Sequence, residues 1–286
     1  MKIKTLTILT GTALLASCAL LTSCGDNPSS EIEFKKYSST TTDEAFATAH
    51  SKYEAEIDLT AGYELTTYDY TSYETEGDTS YFRVRNSKST SKYDATNLIY
   101  TVESEDSSTN KSDTSERSYT EKESKAIQKN GEKYDIIDNI AETYYQSEKG
   151  YEGLANPVLE KIRPTHYVDM YAGSSESTEN YTVEKTYYCD SDVYTLVLKI
   201  TSTSENEEAG IKFKETTSSE ATFQFYVSDT EVFGKKLTEK EVTIEYTEGE
   251  TSGKVTKKST NASAFSVKIG AQSLSKIDTS KYIKLY

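Results

Sequence analysis

The chain has 286 residues, with 47 acidic side chains against 32 lysines and arginines and a formal net charge of −15 at pH 7. A protein this acidic is repelled by nucleic-acid phosphate and by anionic lipid, which argues against nucleic-acid binding and against membrane attachment through a basic patch. Tyrosine is abundant at 24 residues, tryptophan is absent and proline is nearly so. This composition favours strands over helices and predicts a mainly β protein with minor α+β character.

The first 24 residues have the regions of an export signal. Lys2 and Lys4 precede an almost wholly apolar or small stretch over residues 6–21, and Leu21-Thr22-Ser23-Cys24 is followed at once by polar residues. The apolar stretch is too short for a permanent membrane-spanning helix, which indicates a signal peptide over residues 1–23. Because that segment contains no acid, the mature chain keeps all 47 acids against 30 basic residues.

The ending at Cys24 resembles the lipobox of bacterial lipoproteins, in which a small residue precedes a cysteine whose sulfur receives a diacylglyceryl group. The resemblance implies a type II signal peptide, acylation of Cys24 with fatty acids such as palmitate, and anchoring at the extracytoplasmic face of a bacterial membrane, which is the cell surface in a Gram-positive cell. Leu15-Ala16-Ser17-Cys18 also fits the lipobox. We prefer Cys24, because cleavage at Cys18 would leave three apolar residues ahead of the polar segment. Stable anchoring needs at least two acyl chains, which a diacyl group supplies.

Residues 24–40 are predicted to be the lipidated cysteine and a flexible tether, and residues 41–286 a β-rich extracytoplasmic domain. A subdivision of that domain near residue 138 is an alternative. Thr41 and Glu44 form a capping-box signature that predicts a helix over 42–52. From Tyr53 to Thr66 apolar and polar residues alternate, which predicts a long strand in a strongly curved antiparallel sheet.

The next segments are predicted from turn residues and apolar spacing. Strands are expected around residues 81–85 and 97–103, and residues 103–117, which have almost no apolar side chain, are expected to form a mobile loop. Asn130-Gly131 between two strand-like runs predicts a hairpin. A helical segment at mid-chain is predicted from the spacing of Ile137, Ile140, Ala141 and Tyr144, followed by a short helix over 158–162.

The second half returns to a period of two. Alternating apolar residues predict strands over 181–189, 194–200, 211–213, 221–227, 242–246, 265–269 and 282–286. Turns are predicted at 190–192, 209–210 and 248–249.

Residues that could carry chemistry are scarce. Only His50 and His166 could titrate near neutral pH, and neither lies in a catalytic motif, so the sequence predicts no enzyme and no cofactor. Cys189 is expected to be a small apolar residue within a strand. Asp190-Ser191-Asp192 offers oxygen atoms to calcium but lacks the further ligands of a calcium loop, so a hairpin turn without metal is predicted.

The order of an entry helix, a long meander, a mid-chain helical break and further strands is similar to that of the LolA/LppX-like half-barrel lipoprotein carriers. The resemblance covers most of the mature chain and includes no specific motif. It implies a half-open barrel whose concave face shelters a lipid or acyl chain. The residues that would line this cavity are Ile57, Leu59, Leu65, Leu196 and Leu198.

Two functions follow as hypotheses. The first is a non-enzymatic binding module for a lipid or another hydrophobic ligand, held at the membrane through Cys24. The alternative is a cell-surface adhesion or interaction protein whose alternating tyrosines bind a glycan or a host protein, because tyrosine combines an apolar ring with a hydroxyl group that meets water.

Overall fold

The computed structural model describes residues 33–53, 59–77, 80–148 and 180–286, with the backbone alone for residues 50–53. These ranges contain one α-helix, α1 (Asp43–Tyr53), and 12 strands. The strands are β1 (Tyr63–Glu76), β2 (Tyr81–Asp94), β3 (Ile99–Ser112), β4 (Ser115–Asn130), β5 (Lys133–Asp138), β6 (Thr143–Ser147), β7 (Tyr181–Asp190), β8 (Val193–Glu208), β9 (Ile211–Val227), β10 (Glu231–Glu248), β11 (Thr251–Ile269) and β12 (Ile283–Lys284). A 3₁₀ turn, Thr279–Lys281, precedes β12.

All 12 strands belong to one open sheet in the order β12-β6-β5-β4-β3-β2-β1-β11-β10-β9-β8-β7. Two antiparallel meanders, β1 to β6 and β7 to β11, are joined where β1 pairs with β11. The sheet is mixed because β12 runs parallel to β6. The predicted mainly β class is confirmed, and it takes the form of an open sheet rather than a half-open barrel.

The strands are much longer than the apolar core that they share. β11 has 19 residues, which corresponds to about 60 Å of extended chain. Buried apolar side chains such as Tyr63, Ile99, Phe225 and Val267 lie at the end of the sheet where β1 begins, which we call the core end. The opposite end, where β1 finishes at Glu76, carries mostly serine, threonine, lysine and glutamate, and we call it the bare end.

Helix α1 covers one face of β7, β8 and β9 at the core end, and we call this side of the whole sheet the helix face. Phe46 and Ala49 are buried in a cluster with Leu196, Leu198 and Phe223. The Phe46 ring also lies with its centroid 5.2 Å from that of Phe225 in a T-shaped contact, a favoured geometry for aromatic pairs.

The helix lies where the sequence predicted it, although its cap differs by one residue. The Thr42 hydroxyl accepts a hydrogen bond from the Ala45 N–H at 3.1 Å, so Thr42 rather than Thr41 is the N-cap.

The segment before α1 crosses the opposite face of the sheet, which we call the strap face. Phe34 packs against Tyr68 and Ala262 near the centre of the sheet, and the chain then runs outward to the β7 edge. There Thr40 forms a bridge with Tyr188, after which the chain enters α1 on the helix face. We call residues 33–41 the N-strap. Residues 33–40 of the predicted tether are therefore bound to the sheet, and residues 24–32 lie outside the described part of the chain.

The segment after β11 also crosses the strap face, in the other direction. Leu274 N–H donates to Asp94 on β2, Ile277 is bound by Gln128 on β4, and the chain ends beside β6 as β12. We call residues 271–286 the C-strap. The two straps thus run outward from the centre to opposite edges of the sheet and each pairs with an edge strand, which covers edges that would otherwise expose unpaired backbone groups.

The predicted first strand was wrong in its position. The alternating run was expected to be extended from Tyr53, but Tyr53 ends α1, Thr60 and Ala61 form a turn, and β1 extends from Tyr63 to Glu76. Gly62 allows this turn because its φ is +115°, and a Cβ there would lie 2.7 Å from the carbonyl oxygen of Tyr93. Residues 54–58 lie outside the described part.

The predicted mobile loop over residues 103–117 was also wrong. β3 and β4 pair continuously through it, from Glu103 opposite Ser124 to Ser112 opposite Ser115. The near absence of apolar residues suggested a loop. A strand that lies between two other strands can nevertheless satisfy its backbone hydrogen bonds without burying a face of side chains. Cross-strand ion pairs, such as Lys122 with Glu105 at 3.0 Å, add to this pairing.

The first part of the predicted mid-chain helical segment forms strands. β5 ends at Asp138, a turn follows, and β6 begins at Thr143. The Asp138 carboxylate accepts hydrogen bonds from the N–H groups of Ile140 and Ala141, which closes the turn where a helix was expected. The short helix predicted over residues 158–162 lies outside the described residues.

The remaining predicted turns are confirmed. Gly131, Gly210 and Gly249 each occupy a hairpin turn with positive φ. Ser191 and Asp192 form the β7–β8 turn, also with positive φ, which supports the hairpin prediction for Asp190-Ser191-Asp192.

Candidate functional site

Three of the five residues predicted to line a lipid cavity lie in the core. Leu65, Leu196 and Leu198 are 3%, 2% and 1% exposed and pack against the protein's own side chains. Leu59 is half-buried against the cluster around Tyr63, and Ile57 lies outside the described residues. The described members of this set therefore belong to two separate clusters, one under α1 and one at β1 and β11.

A groove of about 700 Å³ lies at the core end beside α1. It is lined by Thr42, Glu44, Ala45, Thr48, Ala49, Asp192, Tyr194, Tyr226, Val227 and Ser228. None of the four predicted cavity residues that the structure describes takes part in it, and the charged groups of its described lining, Glu44 and Asp192, are both carboxylates. Among the described side chains, the groove thus combines carboxylates and hydroxyl groups, with no histidine, lysine or cysteine beside them.

The residues singled out for chemistry do not come together in the described part of the chain. His50 lies on α1, where only its backbone is described, and His166 lies outside the described residues. Cys189 is a free, half-buried residue near the end of β7, opposite Tyr194 on β8. No group of three histidine, cysteine, aspartate or glutamate side chains suited to a metal ion occurs within the described ranges.

Asp190 instead holds the N-strap. Its carboxylate accepts hydrogen bonds from the Ser39 hydroxyl at 2.6 Å and from the N–H groups of Ser38 and Ser39 at 2.7 and 3.1 Å. These bonds, led by that of the Ser39 hydroxyl, lower the pKa of Asp190 to about 2.

Asp94 has the matching role for the C-strap. It accepts hydrogen bonds from the N–H groups of Leu274, Thr96 and Asn97, and the bond from Leu274 is the main reason that its pKa is lowered.

Two buried glutamines each bind one strap residue through their side-chain amide, with the hydrogen-bond pattern that a neighbouring strand would supply. Gln224, 1% exposed, accepts from Lys35 N–H at 2.7 Å and donates to the Lys35 carbonyl at 2.8 Å. Gln128, 4% exposed, accepts from Ile277 N–H at 2.8 Å and donates to the Ile277 carbonyl at 2.9 Å. Each side-chain amide therefore satisfies both backbone groups of one strap residue.

Cations and aromatic rings add to the attachment of the N-strap. The Lys35 ammonium lies 4.7 Å from the Phe233 ring centroid and 5.2 Å from that of Tyr226. The Lys235 ammonium also lies over Phe233 and donates to the carbonyl of Glu33. Burial, followed by the charge of Lys35, lowers the pKa of Lys235. The chain from residue 33 onward is thus firmly attached to the strap face.

The bare end is accessible to solvent along β4 and β10. Nine consecutive residues of β4, Ser115–Glu123, are exposed on both faces of the sheet, and Tyr119 is 57% exposed. β10 is likewise exposed over residues 239–241. No helix in the described ranges is long and apolar enough to cross a bilayer. Side chains on both faces of this part of the sheet are free to meet a partner.

Comparisons with known proteins identify no family. No protein-family model matches the chain, and no curated protein matches it. Solved structures similar to parts of the sheet include OpdQ of Pseudomonas aeruginosa, at 6% identity over 71% of this chain and 98% of that chain, with a TM-score of 0.19. The outer membrane protease OmpT of Escherichia coli has 9% identity over 75% and 99%, with a TM-score of 0.19. OccK5 of P. aeruginosa has 4% identity over 73% and 99%, with a TM-score of 0.20. Similarity this low carries no argument about function.

Proposed function

We propose that this protein is a lipid-anchored, extracytoplasmic binding module of a bacterial membrane that acts through the exposed surface of its sheet and catalyses no reaction. The proposal depends mainly on the structure of the bare end. There, long paired strands extend far beyond the core, and β4 and β10 expose side chains on both faces. The bare end has no apolar core and therefore contributes little to the stability of the folded protein. This supports a role for its surface in contact with a partner.

The attachment of the N-strap supports the anchoring part of the proposal. Residue 33 is bound beside Lys235, only nine residues after Cys24, so an acyl group on Cys24 would keep the sheet within about 30 Å of the membrane. The net charge of −15 disfavours electrostatic attachment to an anionic membrane, so the lipid is the expected source of membrane affinity.

Binding of a hydrophobic ligand in a cavity has less support than binding of a partner on the exposed surface of the sheet. Leu65, Leu196 and Leu198, expected to face a lipid, are occupied in packing against residues such as Phe46 and Val267. We therefore favour a hydrophilic partner that binds the exposed sheet. This corresponds to the alternative function predicted from the sequence, a cell-surface adhesion or interaction protein.

The anchoring step can be tested by metabolic labelling with an alkyne fatty acid in a bacterial host, followed by membrane fractionation. The wild-type protein and the Cys18→Ala control should both be labelled and stay with the membrane, whereas Cys24→Ala should be unlabelled and released. Labelling that survives in Cys24→Ala, or a Cys24→Ala protein that remains equally membrane-bound, contradicts the proposal.

A further inference from the structure

The two faces of the bare end differ in charge. Strand alternation places five cross-strand ion pairs on the strap face: Lys92–Glu64, Lys111–Glu116, Lys122–Glu105, Lys199–Glu220 and Lys214–Glu205. On that face, therefore, lysines are balanced by glutamates of the neighbouring strands.

Three arginines on the helix face lack such partners. Arg83 on β2 lies opposite Asn110 on β3, which lies opposite Arg117 on β4, so both arginines share one row across the sheet. Arg85 lies on the same face two residues further along β2. None of the three guanidinium groups forms an ion pair or side-chain hydrogen bond with a described residue.

The row extends to the other meander. Arg83 lies opposite Tyr73, Tyr73 opposite Ser259, and Ser259 opposite Lys240 on β10. In the next row toward the bare end, Lys257 lies opposite Thr75. We call Arg83, Arg85, Arg117, Lys240 and Lys257 the basic band.

The basic band is free of carboxylates. The three helix-face rows that contain it, followed from β9 to β4 through the strand register, include no aspartate or glutamate. Carboxylates return one row nearer the core, at Asp69, Asp106 and Glu121. Asp69 and Asp106 are diagonal neighbours of Arg85 at about 7–8 Å, within the screening length of about 8 Å at physiological ionic strength. The row of Arg83 and Arg117 lies one row further away, so the positive potential of the band is strongest there.

Tyrosines lie among these cations. Tyr73 and Tyr81 are in contact, with ring centroids 6.1 Å apart, and Tyr81 is 39% exposed. Tyr119 lies one row from Arg117 and donates its hydroxyl hydrogen to Glu121. Serine, threonine and asparagine occupy most of the remaining positions, so the surface has hydroxyl and amide groups but no apolar centre.

We propose that the basic band binds an acidic polysaccharide, through guanidinium contacts to its carboxylate or sulfate groups and tyrosine contacts to its sugar rings. Arginine presents paired N–H donors that match planar oxyanions, and exposed tyrosine rings suit the apolar faces of sugars. Arg83 and Arg85 are about 7 Å apart along β2, and Arg83 and Arg117 are about 10 Å apart across the sheet, from β2 to β4. These spacings suit a polymer whose charged groups recur every one or two sugars.

Other partners fit this surface less well. Stable protein interfaces have an apolar, desolvated centre, which the basic band lacks. Duplex nucleic acid carries one charge per about 1.7 Å of its axis, and so few cations in a chain of net charge −15 are too weak a match for it. The inference rests on the proposed surface-binding function and names the chemical class of its ligand.

The test uses the full-length protein in detergent and beads carrying alginate, dextran sulfate or neutral dextran. Retention on alginate or dextran sulfate, but not on neutral dextran, is expected, and it should fall as NaCl is raised. The variant Arg83→Thr/Arg85→Thr/Arg117→Thr should bind at least about tenfold more weakly. A matched control, Lys111→Thr/Lys122→Thr/Lys258→Thr, removes the same charge from the strap face and should bind as the wild type does.

Three results would overturn the inference: no retention on either acidic polysaccharide, an equal loss in the control variant, or retention on oligodeoxythymidylate beads in place of the polysaccharides. A second measurement avoids dependence on the folding of the variants. Dextran sulfate should protect Arg83, Arg85 and Arg117 of the wild-type protein from phenylglyoxal, and uniform modification with and without it contradicts the inference. Fatty-acid labelling is independent of these readouts, so failure of the anchor and failure of the glycan site are distinguishable.

Discussion

At the scale of single residues, four side chains decide how the ends of the chain are held. Gln224 and Asp190 bind the N-strap, and Gln128 and Asp94 bind the C-strap. In each pair, a buried amide satisfies the backbone of one residue, and a carboxylate collects several N–H groups. Removing one of the amides leaves buried strap groups without hydrogen-bond partners, which costs more than the hydrogen bonds themselves contribute.

We expect Gln224→Leu to lower the free energy of unfolding by about 2–4 kcal/mol, because the N–H and carbonyl groups of Lys35 and the Thr195 hydroxyl lose their partner. Urea unfolding measures this change. Thr222→Val alters the same face of β9 without touching these bonds and serves as the control. An equal loss in both variants would show that the glutamine has no special role.

The acid response of the N-strap should follow Asp190. Its pKa in the folded protein, about 2, lies below the ordinary value of 3.8, so its hydrogen bonds stabilise the folded protein above about pH 4, and this stabilisation is lost as pH falls from about 4 to about 2. Amide-exchange protection of Ser38 and Ser39 should fall over that range. Asp190→Asn should remove the pH dependence, whereas Asp229→Asn, in an exposed turn, should keep it.

At the scale of elements, each long strand runs from the buried core end of the sheet to the polar bare end. The core end of β3 contains the buried Ile99 and Tyr100, whereas its other end holds polar residues that are mostly half-buried and contribute no apolar core. Backbone pairing is continuous along the strand, but apolar burial stabilises only one end of it. Local opening should therefore require much less free energy at the bare end.

Hydrogen exchange can measure this gradient within one strand. Amides at residues 99–103 of β3 should exchange only through global unfolding, whereas those at residues 107–112 should exchange through local opening at lower free energy and with weaker denaturant dependence. β9 provides an independent comparison, with slow exchange expected at residues 223–227 and faster exchange at residues 211–215. Uniform protection along both strands would mean that pairing alone stabilises the bare end.

At the scale of the whole molecule, the two ends of the chain cover opposite meanders. From Lys35 onward the N-strap lies on strands from the C-terminal half of the sequence, and the C-strap lies on β2 to β6 from the N-terminal half. Each terminus thus stabilises a part of the sheet that is distant in sequence. The same sheet separates charge, with paired lysines on the strap face and the basic band on the helix face.

Deleting residues 271–286 should destabilise the first meander more than the second. The deletion removes Leu274 and Ile277, the strap partners of Asp94 and Gln128, and the strand that pairs with the β6 edge. Exchange protection should fall in β2 to β6 and change little in β8 to β10. Removing Tyr286 alone, which is fully exposed, should have no effect. Equal loss across both meanders would instead indicate that the sheet unfolds as one cooperative unit.

The sequence alone determined the local features of this protein. A period of two predicted strands such as β8. Asn130-Gly131 and Asp190-Ser191-Asp192 predicted hairpins, and the capping-box signature of Thr41 and Glu44 predicted α1. These signals lie within a few residues of one another, so they can be read without knowing the rest of the chain. The signal peptide and the lipobox at Cys24 are local patterns of the same kind and stay predictions.

Only the tertiary structure decided which residues become neighbours. Residues 103–112 form a strand because β2 and β4 supply hydrogen-bond partners, and residues 115–117 continue the pairing on β4, although these segments provide no apolar face. Gln224 and Lys35 are 189 positions apart, and Gln128 and Ile277 are 149 apart, so no local pattern reports the straps. The basic band likewise depends on strand register, because a shift of one residue would place Arg83 and Arg85 on the opposite face, beside the glutamates.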